Sequence, residues 1–76
     1  MNQITVYTTN TCPYCVMMKN FLTQQGLTFK EVNVQRDQAA ATRLVKTTGQ
    51  LGVPQTEVNG QWVLGYDPDK VMRFVR

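Results

Sequence analysis

Ile4-Thr5-Val6-Tyr7-Thr8-Thr9-Asn10-Thr11-Cys12-Pro13-Tyr14-Cys15 is the stretch on which the fold turns. Residues 4–8 are β-branched or aromatic throughout, which predicts a strand. Thr9-Asn10-Thr11 breaks it. From Pro13 to about Gln25 the apolar residues Tyr14, Met17, Met18, Phe21 and Leu22 recur at i, i+3, i+4, i+7 and i+8, one stripe of a helix. Met17, Met18, Phe21 and Leu22 read as core. Tyr14 lies inside the Cys-x-x-Cys motif and has the alternative of facing a partner. Gly26 then reads as the residue that ends the helix.

Outward from this stretch, Thr28-Phe29-Lys30-Glu31-Val32-Asn33-Val34 reads as a second strand, although its alternation slips between Phe29 and Val32. A helix of this length between two strands makes a βαβ unit, so the two strands are expected to be parallel. Asp37 can cap a second helix running to about Lys46, with Ala40, Ala41, Leu44 and Val45 as its inner face. Thr47 to Pro54 is loop, punctuated by two glycines and a proline. Gln55-Thr56-Glu57-Val58 and Gln61-Trp62-Val63-Leu64 flank Asn59-Gly60, the strongest short hairpin signal, because both central positions of a type I′ turn require φ > 0. Asp67-Pro68 opens a last helix with Asp as N-cap and Pro at the first helical position, to be packed down by Val71, Met72 and Val75. The expected order is β-α-β-α-β-β-α: one α/β domain over residues 1–76, a four-stranded mixed sheet flanked by three helices.

Composition narrows the function. With 42% hydrophobic and 17% charged residues the chain is globular, and the net charge of +3 comes from eight scattered Lys and Arg without a basic run. That describes a solvated surface, not a nucleic-acid interface. No stretch approaches the ~18 apolar residues of a membrane span, and Met1 to Val6 carries no secretory signal, so a cytoplasmic, reducing compartment is expected. The two cysteines lie three apart and there is no histidine. A bond between them would close only a tiny loop and constrain little chain entropy, so the pair is a poor staple. Zinc needs four ligands, so a zinc site or a shared iron–sulfur cluster would require a dimer. Chemistry at the sulfurs is the better reason for the pair.

Position sets that chemistry. Pro13 suits the first helical position, which places Cys12 at the N-cap and Cys15 in the first turn. Residues three apart on a helix have Cβ atoms roughly 5–6 Å apart, so the pair can close reversibly with little backbone movement. Unpaired N–H groups and the helix dipole favour negative charge at Cys12. A thiol with an ordinary pKa near 8.5 is commonly lowered to about 3.5–7.5 in such places, and the thiolate is the form that attacks a disulfide. Cys12 is therefore the expected nucleophile and Cys15 the resolving thiol, supported by Pro13 and Tyr14, with no metal or organic cofactor.

Over essentially its whole length the sequence resembles a glutaredoxin, in the branch that includes the NrdH-redoxins, hydrogen donors of ribonucleotide reductase. The resemblance rests on Val6-Tyr7-Thr8 leading to Cys12-Pro13-Tyr14-Cys15, on Val53-Pro54, and on Gly65-Tyr66-Asp67-Pro68-Asp69-Lys70. It implies a thioredoxin-like fold and reduction of protein disulfides or glutathione mixed disulfides. In that family the proline matching Pro54 is cis and faces the disulfide, and the backbone of the residue matching Val53 pairs with the substrate as an added strand. Gly65, Tyr66 and Asp67 would complete the substrate or glutathione site, Asp67 matching the acid that meets the glutathione amine. Taken alone, Asp67 reads equally as a helix cap and Pro54 as an ordinary loop proline.

The resemblance leaves the electron donor open between glutathione and thioredoxin reductase. Many glutaredoxins have Lys or Arg where this chain has Thr9, which cannot pair with a glutathione carboxylate, and Leu64 replaces the first of two family glycines. Tyr66 followed by Pro68-Asp69-Lys70 resembles the NrdH-redoxin ending, yet the Trp-Ser of that ending is missing and the Pro-Tyr active site is not its usual one. The expected partner is a disulfide-containing protein, ribonucleotide reductase among the alternatives, and a monomer is the expected state.

Overall fold

The computed structural model describes residues 1–76. Strand β1 (Ile4–Thr8) is followed by helix α1 (Pro13–Gln24), β2 (Lys30–Asn33), α2 (Gln38–Thr48), β3 (Gln55–Val58), β4 (Gln61–Leu64) and α3 (Pro68–Phe74). This is the expected order, and the sheet is mixed, with strand order β2-β1-β3-β4. β1 and β2 are parallel, as the helical crossover between them requires, with Tyr7 opposite Val32. β3 runs antiparallel to both β1 and β4. The β3–β4 turn has Asn59 and Gly60 at φ 51° and 85°, the left-handed pair that Asn-Gly accommodates.

The strand period of two assigns each face of the sheet. Ile4 and Val6 point to one side with Val58 and Val63, where they meet Met18 and Leu22 of α1 and Val71 of α3. Tyr7, Val32 and Trp62 point to the other, against Ala40 and Leu44 of α2. Tyr7 and Trp62 pack with ring centroids 5.5 Å apart across β3. Each helix has the cap read from its sequence. Asp37 accepts from the Ala40 N–H at 3.0 Å and Asp67 from the Lys70 N–H at 3.2 Å.

Several core assignments differ from expectation. The buried residues of α1 are Cys15, Met18 and Leu22; Phe21 is half-buried, and Met17 is 43% exposed. The first turn decides this. With Cys15 facing the sheet, positions three and seven further on follow it inward, and Met17 is rotated out. On α2, Val45 is exposed and Ala41 half-buried, because a short helix over one sheet face needs only Ala40 and Leu44 inward. Met72 of α3 is likewise exposed, its expected place taken by the half-buried Phe74. β2 is shorter than the predicted 28–34, but Phe29 packs on the first core cluster and Val34 belongs to the second, which accounts for the slip in alternation.

Candidate active site

Thr8 ends β1 and Gln55 begins β3 beside it, Tyr7 pairing with Gln55. The loop after β1 and the loop before β3 therefore meet at one end of the sheet. Cys12 stands at the N-cap of α1 in an extended conformation (φ −148°, ψ 96°), and Pro13 holds the first helical position. Cys12 Sγ is bonded to Cys15 Sγ, with the Cα atoms 5.2 Å apart, inside the range a disulfide needs.

The two sulfurs are not equivalent. Cys15 is 2% exposed, whereas Cys12 is half-exposed. The Cys15 N–H donates to Cys12 Sγ at 3.1 Å. An N-cap side chain normally accepts such a bond through oxygen; here sulfur takes that place, and a donor aimed at it favours its thiolate. The main-chain carbonyl of Cys12 accepts from the Val16 N–H at 3.2 Å, so its backbone is anchored in the first turn.

Two contacts link other expected site residues to one another. Tyr14, 60% exposed, stacks on Tyr66 with centroids 6.3 Å apart. Gly65, at φ 77°, donates its N–H to the Pro54 carbonyl at 2.9 Å. Pro54, Gly65, Tyr66 and Tyr14 thus form a continuous rim. Pro54 is buried and its bond to Val53 is cis. Tyr14 takes the outward-facing alternative. Asp67 acts as a helix cap, its carboxylate on the Lys70 N–H.

Two supports went unread in the sequence. Gln55, 1% exposed, donates its side-chain amide to the carbonyls of Gln50 and Gly52, both at 2.9 Å, and so holds the loop that carries Val53 and Pro54. A Gln in an alternating strand reads as an outward residue, so nothing local announced this role. In the concavity lined by both cysteines, Glu31 accepts from Lys19 Nζ at 3.0 Å and from Thr8 Oγ1 at 2.9 Å. Lys19 follows Cys15 by four residues and therefore shares its helix face, a signal that was legible. Its carboxylate partner on another strand was not.

The Lys19 ammonium first, and then the Thr8 hydroxyl, hold the Glu31 carboxyl below its ordinary value of 4.5. Folding therefore favours the ionised form. The resulting stabilisation is fully present above the unfolded value and is lost as pH falls through the lower folded one. Because the Glu31 side chain is 40% exposed, the effect is small. Glu31→Gln is expected to be slightly less stable than the parent at neutral pH, with the gap closing on acidification below the carboxylate range. Urea midpoints across that range would test this; a gap independent of pH would show that the charge contributes nothing.

No helix is long and apolar enough to cross a membrane. No three His, Cys, Asp or Glu side chains converge on a common point.

Comparison with known proteins agrees with this geometry. The glutaredoxin family model matches residues 4–63. Glutaredoxin 3 of Escherichia coli is 33% identical over 67 residues, covering 88% of this chain and 81% of that protein. A glutaredoxin-like 8.6 kDa protein of Clostridium pasteurianum is 28% identical over 72 residues, covering 95% and 96%. Among solved structures, the NrdH-redoxin of Escherichia coli superposes with a TM-score of 0.86 at 30% identity, covering 97% of this chain and 96% of that one. Since the family model runs from β1 to β4 and takes in both cysteines, this chain belongs to the glutaredoxin family, within the thioredoxin superfamily and close to the NrdH-redoxins.

Proposed function

We propose that the chain reduces disulfides of proteins, or mixed disulfides with glutathione, with Cys12 as the attacking sulfur and Cys15 as the resolving one. The observation that carries this reading is the asymmetry of the pair: an accessible sulfur at a helix N-cap accepts an N–H, and a buried sulfur is bonded to it. The Cys12 thiolate attacks one sulfur of the substrate, the substrate S–S bond breaks, and one half leaves as a thiol after taking a proton. Cys15, losing its own proton, then attacks Cys12, releasing the second half and leaving the Cys12–Cys15 disulfide. Two electrons pass to the substrate without a metal or organic cofactor.

An extended substrate segment would lie along Val53. Neither the N–H nor the carbonyl of Val53 is hydrogen-bonded within the chain, so both are available for an added strand. Pro54, Gly65, Tyr66 and Tyr14 would wall the same groove. The reading places the protein as a monomer in a reducing cytoplasm.

A second reading concerns the donor that recharges the disulfide. Thr9 contributes no charge for a glutathione carboxylate, and the Asp67 carboxylate is engaged on the Lys70 N–H. The Escherichia coli NrdH-redoxin, of nearly the same length, is described as having a thioredoxin-like activity profile. These observations favour recharging by thioredoxin reductase; the recipient is a disulfide-containing protein, with ribonucleotide reductase among the alternatives. Insulin reduction driven by NADPH and thioredoxin reductase is therefore expected to exceed that driven by glutathione and glutathione reductase by about tenfold or more, the usual scale of one lost charged contact. Equal or faster turnover with glutathione would reject the second reading and leave the first.

A further inference from the structure

Residues 50–53 carry the backbone towards Pro54, and none of them makes a hydrogen bond to another main-chain group. The main-chain anchors lie on either side. The Gly49 N–H donates to the Val45 carbonyl at 2.7 Å, and the Pro54 carbonyl accepts from Gly65. Inside the segment, the Gln50 N–H donates to Thr48 Oγ1 at 3.2 Å. Past that point the path of the chain is set by one side chain, that of Gln55, whose Nε2 reaches the carbonyls of both Gln50 and Gly52.

Gln55 does this from the interior. It is 1% exposed, at a strand position opposite Tyr7 and Leu64. Its Oε1 is buried without a hydrogen-bond partner. Turning the amide over would set that oxygen against two carbonyl oxygens, so both Nε2 protons are committed to the loop. A buried acceptor left unpaired costs about as much stability as two such bonds return. Gln50 and Gly52 are exposed, so without Gln55 their carbonyls can turn to water. An apolar side chain of this size would therefore serve the core as well. Stability does not account for the amide; the course of the chain just before Val53 does.

We infer that Gln55 is a positioning residue for the substrate, holding Val53 where an added strand can pair with it, so that the protein prefers disulfides flanked by peptide backbone to bare ones. The inference rests on the disulfide-exchange reading above and names the substrate class within it. Gln55 acts through the loop and exchanges no proton or electron. The bonds broken and formed are those already given, with the reduced protein as the two-electron donor.

The test is a single-turnover reaction of pre-reduced, full-length protein with two uncharged disulfides. One is the symmetric disulfide of acetyl-Ala-Cys-Ala-amide, and the other is bis(2-hydroxyethyl) disulfide, which has no peptide group. Acid quenching, alkylation and mass determination give the rate of Cys12–Cys15 disulfide formation. Each rate is divided by that of 2-mercaptoethanol with the same disulfide, which removes intrinsic reactivity. The normalised peptide-to-bare ratio is expected to be about tenfold, the scale of two added backbone hydrogen bonds. Gln55→Met should reduce it to about twofold or less, through a higher half-saturation concentration for the peptide and not a lower limiting rate. Gln55→Leu should do the same, so the test does not depend on one substitution, and circular dichroism shows that each variant is folded at the assay temperature. Thr56→Val, which alters the next buried polar side chain, one that makes no hydrogen bond, should leave the ratio unchanged. The unfolding midpoint of Gln55→Met should fall by less than about 5 °C. A parent ratio near one, a ratio unaltered in both Gln55 variants, or an equal loss in Thr56→Val would overturn the inference while leaving disulfide exchange standing. So would equal slowing with both disulfides together with a large fall in midpoint, the mark of a merely structural residue. Failure of the parent to react with either disulfide would overturn both readings.

Discussion

Replacing Cys12 with serine is expected to abolish disulfide reduction, a loss on the order of a thousandfold or more, because a hydroxyl at this N-cap is not ionised at neutral pH and cannot attack sulfur. Cys15→Ser should behave differently. Its Cys12 still attacks, but the intramolecular second step is gone, so the variant should accumulate as a mixed disulfide carrying one substrate thiol. Intact mass before and after reduction distinguishes the two. The structural basis is the inequality of the sulfurs, one half-exposed and hydrogen-bonded by the Cys15 N–H, the other 2% exposed. The pH dependence of Cys12 alkylation in Cys15→Ser adds an independent check. Its midpoint should lie below the ~8.5 of a free thiol. Retained turnover in Cys12→Ser, or trapping by Cys12→Ser in place of Cys15→Ser, would reverse the assignment of roles.

The second large effect is on stability. Leu22 is fully buried between α1 and the sheet, in contact with the cluster that includes Val6, Val58, Val63 and Val71. Leu22→Ala removes that volume from a site that can relax only partly, which typically costs about 2–5 kcal/mol. A domain of this size is stable by only about 4–11 kcal/mol in total. The midpoint of thermal unfolding should therefore fall by roughly 10–30 °C. Met17→Ala is the matched control: one helix, a similar side chain, but 43% exposed. It should change stability by less than about 0.5 kcal/mol. Calorimetry of the two variants, with the cysteines in the same redox state, tests which residues of the apolar stripe face inward. Comparable losses in both would mean that α1 is rotated about its axis relative to the sheet.

The same pair of methionines shows where reading the chain stops. Met17 and Met18 are chemically identical and both fit a helical apolar period, so hydrophobicity cannot rank them. Only the orientation of the first turn, fixed by Cys15 facing the sheet, does so. Val45 and Met72 likewise fit an apolar period and are exposed. Each helix covers one patch of a four-stranded sheet, and a patch that small accepts fewer side chains than an apolar pattern offers.

Features governed by local rules can be read along the chain. The element order, both aspartate caps, the Asn59-Gly60 turn and the position of Cys12 ahead of Pro13 follow from backbone preferences acting over a few residues. Contacts between distant segments were decided only by the fold. Lys19 with Glu31, Gln55 with the loop before Pro54, Tyr14 with Tyr66, and Asn59 joined to Asn2 and the Phe74 carbonyl all depend on how strands are registered and helices docked. A hydrogen bond between partners far apart in the chain leaves no periodic trace, because its geometry exists only once the elements between them have packed.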